Sequence, residues 1–332
     1  RGLGDVYKRQ TQADIDVVGL GELPFHYEVD LPLVMAEALM SLPIPPVHVL
    51  VNNRKVVQGV CEGIGVSDVE SALRGLDKLD KIGPEGVREE LTEAGLNSEQ
   101  IDVLLRMAKI RTEDASQLQQ EVAALEVSSE TLDQGLTELC ALVDEANAAM
   151  PGVIIADLKI ARGLDYYTGS VYESEIVGHE DLGSICSGGR YDSLAKDGKR
   201  TYPGVGLSIG VSRLVSRILS QDMVSASRKV PTCVVIAVAD ESERRHCNAL
   251  ATILRRRGIP TDVAPSAAKF GKQIKFADKR GIPFVWFPGS DGEADTVKDI
   301  RSGEQVEADI YSWQPPEDDV RPAIRPTEEL DS

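Results

Sequence analysis

No stretch of this chain stays apolar for the roughly 18 residues that a membrane-crossing helix requires. The longest such run, Cys233 to Ala239, has the length of a strand. Cysteine is sparse: Cys61, Cys140, Cys186, Cys233 and Cys247 are far apart, so neither a zinc site nor a disulfide framework is expected. The four histidines (His26, His48, His179, His246) are scattered and form no ligand pair. No GxGxxG phrase opens the first helix of the C-terminal α/β stretch, so a dinucleotide reading lacks support. Positive charge is also short. There are 36 Lys and Arg against 54 Asp and Glu, a net charge of −18. Binding to a polyanion rests on Lys and Arg, so a nucleic-acid partner would need a local basic face. No secretory signal is visible, and the chain does not open with Met. These absences fit a cytoplasmic enzyme with no membrane association and no protein-bound metal or prosthetic group.

Glycine and arginine recur together in three blocks. The first is Arg162-Gly163-Leu164-Asp165-Tyr166-Tyr167-Thr168-Gly169-Ser170-Val171-Tyr172-Glu173. The second is Ser187-Gly188-Gly189-Arg190-Tyr191-Asp192, read as a Gly-Gly turn. The third runs from Gly204 to Leu214 as GVGLSIGVSRL. A guanidinium offers a planar fork of donors to phosphate or carboxylate. Tyrosine adds a stacking face with a polar tip, and glycine lets backbone approach a ligand closely. By themselves these features support activation of a carboxylate by ATP.

Periodicity divides the chain. Ala13 to Gly19 alternates like a half-buried strand. Leu31 to Leu42 reads as a helix ended by Pro43, Val47 to Val51 as a strand, and Asn52 to Gly59 as a turn into a helix. From Ser67 to about Met150 helical spacing dominates, enough for four to six helices, with Ser128 or Ser129 capping a helix from Glu130 to Ala149. Strand text resumes with Val153 to Ala156, Val171 to Val177, Leu182 to Cys186 and Val205 to Ser208, then a helix from about Ile209 to Ser220. This pattern suits an antiparallel sheet flanked by helices. After a linker at Ser225, strands and helices alternate from Cys233 to Phe287, as in a parallel α/β unit, and a hairpin follows around Arg301 to Glu304. The Pro-rich acidic text beyond Trp313 reads as a disordered tail.

The three blocks closely resemble the signature motifs and motif 3 of the histidyl-tRNA synthetase family, a class II aminoacyl-tRNA synthetase family. VKDIRSGEQVEAD, Val297 to Asp309, resembles the anticodon-binding domain of the same family. The resemblance runs from about Thr11 to about Trp313. It implies an α/β fold with an α+β catalytic core: a class II antiparallel sheet (11–66 and 151–224), a helical insertion (67–150), a linker (225–231), a C-terminal α/β anticodon-binding domain (232–313) and an acidic tail (314–332).

The resemblance also implies the chemistry. L-Histidine would be joined to its tRNA through a histidyl-adenylate, with ATP and Mg²⁺ as the substrate complex, in a homodimer. Arg162 would contact the α-phosphate and the histidine carboxylate. Arg213 and Gly210 would serve the nucleotide. Asp16 and Tyr167 would read the two imidazole nitrogens, Gln12 and Tyr166 would lie near the amino-acid backbone, and Tyr191 would line the pocket. The family carries an acidic residue where Ser212 stands. Lys272, Lys275 and Lys279 share one helical side and are the candidate tRNA contacts, with Arg255-Arg256-Arg257 nearby in sequence. The alternative is a synthetase-like regulatory paralogue of histidine biosynthesis that does not charge tRNA. A third reading is a binding module for tRNA or protein.

Residues 1–10 read like the translation of a transposase adaptor, and family-like text begins abruptly at Thr11. The chain is therefore expected to be an N-terminally truncated fragment, without motif 1 and most of motif 2, that does not activate histidine by itself. ATP–pyrophosphate exchange from a clean preparation would refute that.

Overall fold

The computed structural model describes residues 11–161, 166–290 and 292–327. The chain divides at Gln221 into two compact units.

The first unit opens with strand β1 (Ala13–Val18), helix α1 (His26–Met40), strand β2 (Val47–Asn53) and helix α2 (Arg54–Gly63). Helices α3 (Val69–Leu76), α4 (Leu79–Glu93) and α5 (Ser98–Met107) follow, then strand β3 (Arg111–Thr112), helix α6 (Ala115–Ala123) and helix α7 (Glu130–Ala149). Strands β4 (Ile154–Asp157), β5 (Ser170–Ile176), β6 (Cys186–Asp197) and β7 (Arg200–Ile209) lead to helix α8 (Val211–Ser220).

The strands form one sheet in the order β1-β7-β6-β5-β2-β4-β3. Every pairing in it is antiparallel except β2 with β4. Side-chain caps explain where several helices start. Asn53, Asp68, Asn97, Asp114 and Ser129 each accept a backbone N–H in the first turn of the helix that follows. Asn53 does so as the last residue of β2, so α2 follows without the turn expected there. Gly83, at a φ of 71°, breaks α4 just before Pro84. Helix α7 packs on α2, β2 and β4, so the helical stretch ends against the sheet.

Three expectations are corrected. Helix α1 begins at His26, five residues before the expected Leu31, and carries Pro32 in its interior. Pro32 has no N–H for the Glu28 carbonyl; the phenol of Tyr172, on β5, donates to that carbonyl instead, at 2.9 Å. Leu182 to Cys186 is not a strand: Glu180–Leu182 is a 3₁₀ turn and β6 begins at Cys186. Gly188 and Gly189 lie inside β6, not in a turn. A Cβ on Gly188 would stand 2.0 Å from the Gly206 carbonyl, so glycine serves close strand approach here.

In the second unit, strand β8 (Val224–Ala226) precedes β9 (Val234–Ile236), α9 (Arg244–Arg256), β10 (Thr261–Val263), α10 (Phe270–Arg280) and β11 (Phe284–Phe287). The hairpin β12 (Thr296–Asp299) and β13 (Gln305–Glu307) follows, then α11 (Glu317–Val320) and β14 (Ile324–Pro326). The larger sheet runs β10-β9-β11-β12-β13, parallel among its first three strands and antiparallel beyond. Cys233 to Val238 are fully buried, together with Trp286, Leu254 and Ala277.

The stretch expected to be a disordered tail carries structure up to Thr327. β14 pairs with β8, which overlaps the start of the expected linker. Arg228 is buried and donates to the carbonyls of Val230, Pro231, Asp319 and Val320.

Candidate active site

Side chains on a strand alternate between faces, and the pairing of β1, β7 and β6 sets which ones meet. Asp16 on β1 lies opposite Gly206, and Asp14 opposite Ser208. Tyr191 on β6 lies opposite Gly204, and Ser187 opposite Ser208. Between these partners one face of β7 presents Gly204, Gly206 and Ser208, a low floor between two walls. The walls lean over it. A Cβ on Gly206 would fall 1.9 Å from the Asp16 carboxylate, and one on Gly204 would fall 2.4 Å from the Tyr191 ring. A Cβ on Gly189 would meet the Tyr167 ring at 2.7 Å.

Above this floor lies a cavity of about 310 Å³. Gln12, Asp16, Tyr166, Tyr167 and Tyr191, the five residues implied for histidine, all line it. The Tyr191 phenol donates to Asp16 Oδ1 at 2.8 Å. Gln12 Nε2 donates to Ser208 Oγ at 2.9 Å, and the rings of Tyr166 and Tyr167 sit 4.3 Å apart. Burial pushes the Tyr191 phenol up to about 12, helped by its bond to the Asp16 carboxylate. Burial also raises the Tyr167 phenol well above its usual value, with Tyr166 and the charge of Asp16 adding to it. Both phenols therefore remain donors across physiological pH. Asp14, Ser187, Leu194, Gly206 and Ser208 also line the cavity and were missed as site residues. For Gly206 and Ser208 the small residues of GVGLSIG were a hint, but which of them face the cavity depends on strand register.

Arg162 lies outside the described residues. Ala161, just before it, lines a second cavity of about 460 Å³ with Arg111, Lys159, Glu173 and Gly183. Arg213, in the first turn of α8, donates to the Leu182 carbonyl at 3.4 Å beside Gly183, and Gly210 is the residue that precedes α8. Neither Arg213 nor Gly210 lines the first cavity. Ser212, at the family's acidic position, instead accepts from the Thr11 N–H at 2.9 Å and returns its own N–H to the Thr11 carbonyl. A larger cavity of about 890 Å³ lies between α4 and α5; of the cations that line it, Arg88 pairs with Asp102 and Lys159 with Asp80.

In the second unit Lys272, Lys275 and Lys279 are exposed on α10, while Gln273 and Ala277 face inward. Two arginines of the Arg255-Arg256-Arg257 run are engaged by backbone carbonyls. Arg255 donates to the Thr261 carbonyl, and Arg257 to those of Ile310 and Trp313.

An antiparallel sheet that carries a glycine-floored polar pocket, followed by a smaller α/β unit, defines a class II aminoacyl-tRNA synthetase. Residues 11–214 match the histidyl-tRNA synthetase family, and residues 232–312 match an anticodon-binding domain. The chain belongs to the histidyl-tRNA synthetase family. It is 55% identical over 318 residues to the histidine–tRNA ligase of Micrococcus luteus, covering 95% of this chain and 69% of that protein. It is 50% identical over 327 residues to the histidine–tRNA ligase of Cutibacterium acnes, covering 96% and 72%. The crystal structure of histidyl-tRNA synthetase from Nostoc sp. PCC 7120 superposes with a TM-score of 0.77 at 35% identity, covering 90% of this chain and 72% of that one.

Proposed function

We propose that the full-length protein joins L-histidine to histidine tRNA in two steps, as a cytoplasmic homodimer, while this chain is not expected to activate histidine by itself. In the first, a histidine carboxylate oxygen attacks the α-phosphorus of Mg²⁺-bound ATP, the bond to the β-phosphate breaks, and pyrophosphate leaves. In the second, a ribose hydroxyl at the tRNA 3′ end attacks the mixed anhydride and AMP leaves. Two anions repel in the first step, so fixed positive charge must face the phosphate. Arg162 takes that role, with Arg213 and Gly210 on the nucleotide side. Lys272, Lys275 and Lys279 meet the tRNA backbone.

The observation that carries this reading is the meeting of Asp16, Tyr167 and Tyr191 over the β7 floor. A neutral imidazole has one donor and one acceptor nitrogen. Asp16 accepts from the first and Tyr167 donates to the second. A ligand without both groups would cover Asp16 and Tyr167 without pairing them, which is costly. The anticodon-binding match of the second unit favours tRNA charging over the regulatory alternative.

Calorimetric titration tests the pocket. L-Histidine is expected to bind, and L-glutamine to bind far more weakly. Asp16→Asn and Gly206→Ala are each expected to weaken histidine binding about tenfold or more, the former by losing a charge-assisted bond and the latter by pushing Asp16 aside. Equal binding of histidine and glutamine would overturn the reading. On the full-length protein, histidine-dependent ATP–pyrophosphate exchange and transfer to histidine tRNA test the two steps.

A further inference from the structure

Tyr166 and Tyr167 are joined to β5 by a short strap, Thr168 to Ser170. Side chains from three other elements hold this strap. Glu28, on α1 and only 2% exposed, accepts the Ser170 N–H at 3.1 Å through Oε2 and Arg190 Nη1 at 2.7 Å through Oε1. Arg190, on β6, accepts the Thr168 N–H at its carbonyl at 2.8 Å. Its Nε donates to Asp192 Oδ1 at 3.1 Å, and the other Asp192 oxygen accepts from the Thr168 hydroxyl at 2.5 Å. Arg54, at the start of α2, donates its backbone N–H to the Gly169 carbonyl and its guanidinium to the Tyr167 carbonyl.

A buried ion pair is poor value as a stabiliser, because apolar side chains of equal volume often serve as well. Apolar groups could not, however, direct a backbone N–H or hold a strap by its polar groups. The pair is spent on three residues that leave the pocket beside Tyr167, whose ring lies against Gly189 in the same strand as Arg190.

We propose that Glu28 and Arg190 are positioning residues for amino-acid recognition: they lock the strap so that the Tyr167 phenol meets the ligand, and thereby set histidine affinity. This rests on the histidine reading of the pocket. Neither residue lines the cavity, so the effect on affinity passes through Tyr167.

The test is a double-mutant cycle on L-histidine affinity, with melting temperature followed in parallel. Glu28→Gln is expected to weaken histidine binding about tenfold in the otherwise unaltered protein. In a Tyr167→Phe background, where the phenol is already gone, the same change is expected to cost less than about threefold. Arg190→Lys should fall between. Should Glu28→Gln not fold, Thr168→Val loosens the strap from its half-buried side and is expected to show the same non-additivity. Variants that melt earlier but bind histidine as before, or losses that add fully with Tyr167→Phe, overturn the proposal. If the unaltered protein fails to bind L-histidine, the pocket reading itself falls, and this proposal with it.

Discussion

Asp16 and Tyr191 are 175 residues apart and share a hydrogen bond because β1 and β6 flank the same strand, β7. That bond has a consequence for pH. The Tyr191 phenol is raised to about 12 in the folded protein, first by burial and then by Asp16. In the unfolded chain it ionises near its ordinary value, about 10. The folded pKa is the higher one, so the associated stability is fully present below pH 10 and is lost as pH rises to about 12. Ultraviolet difference spectra of the wild type and Tyr191→Phe should show one phenol titrating near the upper end of that window. Asp16→Asn should move it back towards its ordinary value. The residue types for such a pocket are legible in the linear text; the identity of the floor is not, because it depends on register.

At the level of single elements, helix α1 departs most from its sequence pattern. Apolar spacing locates the helix, and Pro32 argues for a start beside it. The structure carries the helix through Pro32 because Tyr172 supplies the missing donor to the Glu28 carbonyl. Tyr172→Phe should therefore cost about 1–3 kcal/mol, the usual price of a buried acceptor left without its donor. Pro32→Ala in that background should recover part of the loss, since the new backbone N–H can reach the same carbonyl. Urea unfolding of the two single variants and the double variant checks both statements. Strand β6 makes a similar point. Gly188 and Gly189 look like a turn in isolation, and only a close neighbour such as the Gly206 carbonyl explains them as strand residues.

At the scale of the molecule, charge is placed rather than spread evenly. The overall −18 coexists with an exposed row of Lys272, Lys275 and Lys279 on α10. The acidic, Pro-rich text near the C-terminus is anchored by two arginines. Arg301 forms a two-bond pair with Asp319 at 2.7 and 2.8 Å, and Arg228 holds the carbonyls of Asp319 and Val320. β14 then pairs with β8, and the Ser227 N–H donates to the Ala323 carbonyl. Ending the chain after Trp313 should leave the β9–β11 core folded but release residues 224–228. Hydrogen exchange is the readout: amides of Ser225 and Ser227, which face β14, should lose protection while those of Val234 to Ile236 keep theirs.

The sequence by itself determined the order of helices and strands, the division into a sheet-based unit and an α/β unit, and the phrases that carry arginine, tyrosine and glycine. Those follow from local periodicity and from chemistry held in contiguous residues. Only the tertiary structure decided which small residues floor the cavity, why a proline is tolerated inside α1, and that an acidic tail clasps a linker. Each of these depends on a partner far away in the chain: Asp16 for Gly206, Tyr172 for the Glu28 carbonyl, Asp319 for Arg228. No local pattern encodes where a strand partner or a hydrogen-bond donor from another element will arrive.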